Sequence, residues 1–129
     1  METSPTSHDT SRDIDLESLV GEWLDWSGAS DLLGVSVSKV RQLIRENQLA
    51  AVVPSPGAGQ KIPAALIMDG QVVKGVPGVL TVLHDGGYDH RGAITWLFTA
   101  DDTLPGRPVD ALRENRGAEV KRRAQAMAF

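Results

Sequence analysis

The sequence contains no cysteine, and this absence excludes several classes of protein at once. Disulfide-stabilised secreted scaffolds, thiolate nucleophiles and cysteine-based zinc sites all need cysteine. Long apolar runs are also missing, because the longest ones, such as residues 64–68, are far too short to span a bilayer. The N-terminus lacks the basic start and apolar stretch of a secretory signal. We therefore expect a soluble, cytoplasmic protein with no membrane partner.

Catalytic patterns are equally scarce. Residues 57–61 suggest a phosphate loop, but Lys61 is followed by Ile62 instead of Ser or Thr, so the Walker pattern is broken. A histidine and aspartate cluster resembles a metal site, yet nothing places its histidines on one helix face, and a surface role is favoured. That cluster is His84, Asp85, Asp89 and His90. We predict no enzymatic activity, no metal and no cofactor.

Basic residues are scarce in the first part of the chain. The net charge is −4, but residues 1–35 hold eight acidic residues and one basic residue, whereas residues 36–75 hold five basic and two acidic residues. The remaining residues carry seven of each sign. A phosphate backbone docks where the local charge is positive, whatever the average. Residues 36–75 are therefore the candidate region for nucleic-acid contact, with salt-sensitive affinity.

The first residues are polar, and an ambiguous segment follows. Residues 1–13 are rich in Ser, Thr and Asp without an apolar cluster, which predicts a disordered arm. The spacing of the next apolar residues roughly fits one helical face, although Gly21 argues against a continuous helix. These residues are Ile14, Leu16, Leu19, Val20 and Trp23. Trp23, Trp26 and Trp96 are expected in the core or at its rim, because none lies in a mixed basic and aromatic run.

Two short helices are predicted on either side of Gly34. Ser27 is a candidate N-cap of the first helix and Ser36 of the second, while Gly34 supplies a left-handed turn. The apolar stripe of the second helix is Val37, Val40, Leu43 and Ile44. Small residues at the crossing, here Ala29 or Ser30, let two helices approach closely. This arrangement is typical of a helix-turn-helix.

The other face of the second predicted helix, residues 37–46, is polar and basic. In a DNA major groove, Arg and Lys reach guanine edges and Gln pairs with adenine, while Ser and Lys at a helix start suit phosphates. The predicted DNA-binding residues on this helix are Ser36, Ser38, Lys39, Arg41, Gln42 and Arg45. Solvated helices of other proteins also carry such faces, so this pattern alone leaves both interpretations open.

A hairpin is predicted directly after this helix. Residues 49–53 are β-prone, residues 54–60 have the composition of a turn, and residues 61–63 form a candidate returning strand. Such a wing would place Lys61 near the DNA backbone or minor groove. Residues 14–75 are thus predicted to be a winged helix-turn-helix region. Helices are predicted through residues 76–129, beginning near Pro77, Asp89 and Pro108, so the fold class is mainly α.

Several stretches carry a family resemblance. Residues 31–43, DLLGVSVSKVRQL, look like excisionase-type winged helix-turn-helix modules. A narrower group is resembled by five later stretches, residues 70–74, 83–88, 96–99, 107–112 and 123–128. This group consists of the small actinobacterial winged-helix DNA-binding proteins studied in mycobacteria as partners and substrates of Ser/Thr protein kinase L. The similarity covers about residues 29–129, although the loop at residues 101–106 is short for the group.

The resemblance implies DNA binding, a helical C-terminal part and an N-terminal arm open to phosphorylation by a Ser/Thr protein kinase. Candidate phosphorylation sites are Thr3, Thr6 and Thr10, with Ser4, Ser7 and Ser11 beside them. The arm does not align with the group, so no phosphorylation site carries over by position. The alternative interpretation is that these Ser and Thr side chains simply keep the tail solvated.

Two functions remain open at this point. The first is a cytoplasmic, nucleoid-associated protein or transcriptional regulator that binds double-stranded DNA. The second is a protein-interaction adaptor that uses its C-terminal helices, since residues 97–112 are similar to the C-terminal region of some antitoxins. The oligomeric state, the target sequence and the regulated genes are not predicted.

Overall fold

The computed structural model describes residues 15–104 and 106–129, and its first element is the short helix α1, Leu16–Val20. The Asp15 carboxylate caps it, accepting from the Ser18 hydroxyl at 2.7 Å and from the Ser18 N–H at 3.3 Å. These bonds hold the pKa of Asp15 below its ordinary value. The predicted arm and Ile14 lie outside the described residues. The helix ends at Gly21, φ 85°, so the expected helical face does not extend to Trp23.

Trp23 instead belongs to a strand. Strand β1, Trp23–Leu24, leads into helix α2, Trp26–Leu33, which begins earlier than expected. The prediction that Ser27 caps this helix is wrong, because the Asp25 carboxylate accepts from the Gly28 N–H at 2.7 Å. An aspartate at this position leaves the first turn of α2 complete without Ser27.

The turn and the second helix follow the prediction. Gly34 is left-handed, φ 67° and ψ 32°, and helix α3, Val37–Arg45, begins where the Ser36 hydroxyl accepts from the Lys39 N–H at 3.0 Å. Ala29 of α2 and Val40 of α3 are both fully buried, so the two helices pack through small side chains. The two-helix unit predicted from the sequence is confirmed.

The wing is smaller than the sequence suggested. It consists of one antiparallel bridge, in which the Val52 and Lys61 backbones exchange hydrogen bonds of 3.0 and 2.8 Å. Strand β2, Ile62–Pro63, pairs with β1 and not with residues 49–53, so that Pro63 lies opposite Trp23. Residues 49–51 are buried and contribute to the core.

A second hairpin follows the wing. After a 3₁₀ turn at Ala64–Leu66, strands β3, Ile67–Met68, and β4, Gln71–Val72, pair antiparallel. Asp69 and Gly70 connect them with φ of 55° and 78°. Two successive left-handed residues give the turn whose twist matches paired strands.

Four helices complete the chain: α4, Val76–Asp85; α5, His90–Phe98; α6, Pro108–Arg113; and α7, Gly117–Ala128. The Asp89 carboxylate caps α5 by accepting from the Gly92 N–H at 2.8 Å, as predicted. Helix α7 lies along α4 so closely that a Cβ on Gly86 would be 2.4 Å from the Ala128 Cβ. Only glycine permits this approach.

The core is shared by both parts of the fold. Buried apolar residues from the helix-turn-helix and from the C-terminal helices form one cluster, and α1 packs against α5. Arg113 of α6 donates from Nη1 to the carbonyls of Ala65, at 2.8 Å, and Ile67, at 3.4 Å. The fold is mainly helical, with a winged helix-turn-helix and additional C-terminal helices. None of the helices among the described residues has the length and apolar character that crossing a membrane requires.

Candidate nucleic-acid interface

One face of α3 gathers four of the predicted residues. Ser38, Arg41, Gln42 and Arg45 follow the spacing i, i+3, i+4 and i+7, which places side chains on a single side of a helix. Gln42 is half-buried and the other three are exposed, whereas Val40 on the opposite side is fully buried. We call these four side chains the reading face.

Arg41 is held by an aromatic ring. Its guanidinium carbon lies 5.5 Å from the centroid of the Trp26 ring, and Trp26 itself packs against the core at the start of α2. A cation–π contact of this kind orients the planar guanidinium while its edge retains N–H donors. Trp26 was expected only in the core or at its rim. No spacing rule relates it to Arg41, so this role is visible only in the fold.

Gln42 has a partner on its own helix. Its Nε2 donates to Oε2 of Glu46, the C-cap residue, at 3.1 Å. This bond orients the amide and leaves its oxygen as an acceptor. The Glu46 carboxylate also places a negative charge at the end of the reading face, where it opposes a phosphate. Glu46 was not among the predicted site residues, although its position four residues after Gln42 is a recognisable helical pairing.

Ser36 and Lys39 lie at the beginning of α3, outside the reading face. Both are exposed, and the Ser36 hydroxyl is occupied as an acceptor by the cap, which leaves its hydrogen to donate. The first turn of a helix carries partial positive charge and free N–H groups, which suits an anion. This end of α3 therefore has the chemistry of a phosphate contact.

Lys61 lies on a different element. It is half-buried within the bridge to Val52, at the base of the wing and not at its tip. The tip contains Gly57 and Gly59, with φ of 83° and 72°, and Val53 beside it is 40% exposed. The structure thus assembles the α3 residues on one helix and keeps Lys61 on the wing that follows.

The cations of this region are available. Within residues 15–104 and 106–129, Lys39, Arg41, Arg45 and Lys61 form no salt bridge with an acidic side chain. The described chain likewise contains no group of three or more potential metal ligands. His84 and His90 instead line one shallow surface cavity together with Asn47.

Two helices that turn at a left-handed glycine, followed by a wing, define a winged helix-turn-helix protein. Comparison with protein families agrees with this class. The family described as "DNA-binding protein Rv2175c, wHTH domain" matches residues 10–67, and "Rv2175c C-terminal domain of unknown function" matches residues 73–128. The chain belongs to the Rv2175c family.

Comparisons with one sequence and one solved structure show how similar the chain is to this family. The chain is 46% identical over 118 residues to the DNA-binding protein Rv2175c of Mycobacterium tuberculosis (strain ATCC 25618 / H37Rv), with 81% of this chain and 80% of the relative covered. It also matches the NMR structure of Rv2175c with a TM-score of 0.75 and 45% identity, covering 84% of this chain and 82% of the other.

Proposed function

We propose that this protein binds double-stranded DNA with the reading face in the major groove. The observation that carries the proposal is that Ser38, Arg41, Gln42 and Arg45 share one solvent-facing side of the second helix of a helix-turn-helix. The description of its relative as a DNA-binding protein supports the same function. In such a groove, arginines pair with guanine and glutamine with adenine.

Phosphate roles in this proposal fall to the residues at the start of α3, including Ser38 at the end of the reading face, and to Lys61. Ser36, Ser38 and Lys39 donate to the backbone at the start of α3, and Lys61 holds the wing against the backbone or the minor groove. The exposed acids in and next to α1 and α2 limit non-specific affinity, which falls as salt rises. Those acids are Asp15, Glu17, Glu22, Asp25 and Asp31.

The biological role proposed is that of a transcriptional regulator or nucleoid-associated protein that acts on chromosomal DNA in the cytoplasm. Binding by the reading face requires no cofactor and no catalytic step. Selection from a pool of random duplexes is the most informative experiment. We expect enrichment of a motif that contains guanine or adenine, and Arg41→Ala to relax the preference at one position. Absence of duplex binding even at about 50 mM salt would refute the function.

We further propose that a Ser/Thr protein kinase regulates this binding through the N-terminal arm. Thr3, Thr6 and Thr10 lie outside the described residues, in a Ser/Thr-rich and acidic segment. Phosphorylation adds about −1.5 to −2 charges per site, which repels a nearby DNA backbone. The full chain carrying phosphothreonine at these positions should bind duplex more weakly than the Thr→Ala variants. Equal affinity would contradict this regulation.

A protein-interaction role has one observation of its own in favour. Met127 and Phe129 at the end of α7 are 39% and 80% exposed, and Met127 lines a cavity of about 440 Å³ with Tyr88 and Trp96. By contrast, Leu97 and Leu112, within the segment similar to antitoxins, are buried. A gel-shift assay at modest salt separates the two functions, because an adaptor alone would not retard duplex DNA.

A further inference from the structure

The first turn of α5 contacts both elements of the proposed interface. His90 Nε2 lies 3.0 Å from Oδ1 of Asn47, which directly follows the C-cap of α3. The neighbouring Arg91 donates from Nη1 to the carbonyl of Val53, 3.4 Å away, on the first side of the wing. Two consecutive residues of the C-terminal region therefore connect α3 to the wing.

The wing needs such support. Its own pairing consists of a single bridge with two backbone hydrogen bonds, and a two-stranded ribbon of this size has little stability by itself. Asn47 is left-handed with φ 58°, which turns the chain away from α3 toward the wing. The pairing within the wing is thus weak, and the position of the wing relative to α3 depends on contacts with the rest of the fold, among them those of the buried residues 49–51.

Helix α5 is a rigid base for these contacts. Its start is fixed by the Asp89 cap, and Ala93, Ile94 and Leu97 on its inner side are at most 2% exposed. His90 is half-buried, and this burial lowers the pKa of its imidazole, while a backbone hydrogen bond to Ala51 opposes the shift. The imidazole therefore faces the end of α3 and the residues that lead into the wing.

We propose that the first turn of α5 is a clamp that sets the spacing between α3 and the wing. His90 and Arg91 are the positioning residues for DNA binding. The inference rests on the proposed function. It assigns a task to the C-terminal region, which holds the DNA-binding elements in place without contacting DNA. A preorganised interface binds more tightly because less order must be created on binding.

The test compares matched variants of the full chain on a fluorescently labelled duplex of mixed sequence. His90→Ala and Arg91→Ala should each weaken binding roughly 3- to 10-fold, the effect expected from one lost hydrogen bond. Arg122→Ala removes an arginine from an exposed position on α7 and should change affinity by less than about 2-fold. Equal losses in clamp and control variants would overturn the proposal.

Two further measurements separate positioning from direct contact and from simple destabilisation. The slope of log affinity against log salt should be unchanged in Arg91→Ala, because a positioning residue touches no phosphate. A slope smaller by about one would show a direct contact and overturn the clamp. His90→Gln, whose amide can still donate to Asn47, should recover much of the affinity. If it binds no better than His90→Ala although it folds normally, the clamp is wrong.

A double-variant cycle tests the pairing itself. Asn47→Gly removes the partner of His90 while it keeps the left-handed backbone accessible. Asn47→Gly combined with His90→Ala should bind no more weakly than either single variant, and fully additive losses would contradict the contact. Failure of the unmodified protein to bind the duplex would instead refute the proposed function, so the two failures are distinguishable.

Discussion

The two halves of this protein use their cations in opposite ways. In the helix-turn-helix, Lys39, Arg41 and Arg45 project into solvent without an acidic partner among residues 15–104 and 106–129. In the C-terminal region, every arginine except the exposed Arg122 is engaged within the fold. Arg107 pairs with Asp110 at 2.9 Å, Arg116 with Glu114 at 3.2 Å, and Arg123 with Asp101 at 3.3 Å.

Local spacing explains part of the difference, although Arg123 and Asp101 are 22 residues apart. Arg107 precedes Asp110 by three residues around the start of α6, and their hydrogen bond raises the pKa of Arg107 and lowers the pKa of Asp110. No acidic residue stands three or four positions from Lys39, Arg41 or Arg45. Among the described residues, positive charge is therefore paired in the C-terminal region and lacks an acidic partner where DNA is proposed to bind.

The largest effect is expected from removing both arginines of the reading face. Arg41→Ala combined with Arg45→Ala should weaken duplex binding by about 2 to 6 kcal/mol, if each arginine contributes about 1 to 3 kcal/mol. Fluorescence anisotropy at fixed salt measures the loss, and circular dichroism should show unchanged folding. Arg122→Ala is the exposed control. If the double variant binds duplex as well as this control, the proposed placement of α3 in the major groove is wrong.

The converse experiment removes an engaged arginine. Arg113→Ala breaks the bonds to the Ala65 and Ile67 carbonyls and should lower the free energy of unfolding by about 1.5 to 3 kcal/mol. Urea denaturation measures this change. Because these bonds reach neither α3 nor the wing, duplex affinity under folding conditions should stay near that of the unmodified protein. Unaltered stability would show that Arg113 does not stabilise the fold, which would contradict the difference proposed between the C-terminal arginines and the cations of α3.

Ser36 combines a structural and a proposed binding role, which two substitutions separate. Ser36→Ala loses the cap and should cost about 1 kcal/mol of stability. Ser36→Asp keeps the cap, since aspartate is an equally good N-cap residue, but places a carboxylate where a phosphate is expected. Its thermal unfolding should match the parent while duplex affinity falls. Parent-like affinity would place Ser36 away from the backbone.

Trp26 should have a smaller effect through Arg41. Trp26→Leu removes the cation–π contact and should weaken duplex binding by about 0.5 to 1 kcal/mol, while Trp26→Phe retains part of it. The effect should disappear when Arg41 is already alanine, as a double-mutant cycle would show. A full loss in that background would mean that Trp26 acts on packing alone.

The smallest effect concerns pH. Burial holds the pKa of His90 below its unfolded value, so the unfolded chain takes up the proton first as pH falls. Its contribution to stability is present above about pH 6.5 and is lost as pH falls through that value toward the lowered pKa. His90→Gln should flatten the stability profile between about pH 7 and 5.5. Its neighbours in this electrostatic environment are Asp89 and His84.

Three hydrogen-bonded carboxylates titrate below that window. The pKa values of Asp15, Asp101 and Asp110 are all lowered, for Asp101 chiefly by the Thr103 hydroxyl. Their contributions are therefore retained down to about pH 4 and are lost only below it. If the free energy of unfolding changed with pH equally in the parent and in His90→Gln, protonation of His90 would not be coupled to stability.

Interactions between near neighbours were readable from the amino-acid sequence. The Gly34 turn, the Ser36 and Asp89 caps, and the helical stripe around Val40 all depend on residues within one turn of each other. The polar side of α3 follows from the same periodicity. For that reason the helix-turn-helix and the composition of its reading face were predictable from the sequence alone.

Contacts between distant residues were decided only by the tertiary structure. The pairing of Trp23 with Pro63, the stacking of Arg41 on Trp26 and the contact of His90 with Asn47 leave no local signature, because each joins segments far apart in the chain. The sequence by itself specified which helix carries the reading face. The tertiary structure determined how that face is oriented and braced, since orientation depends on packing between segments and not on periodicity within one.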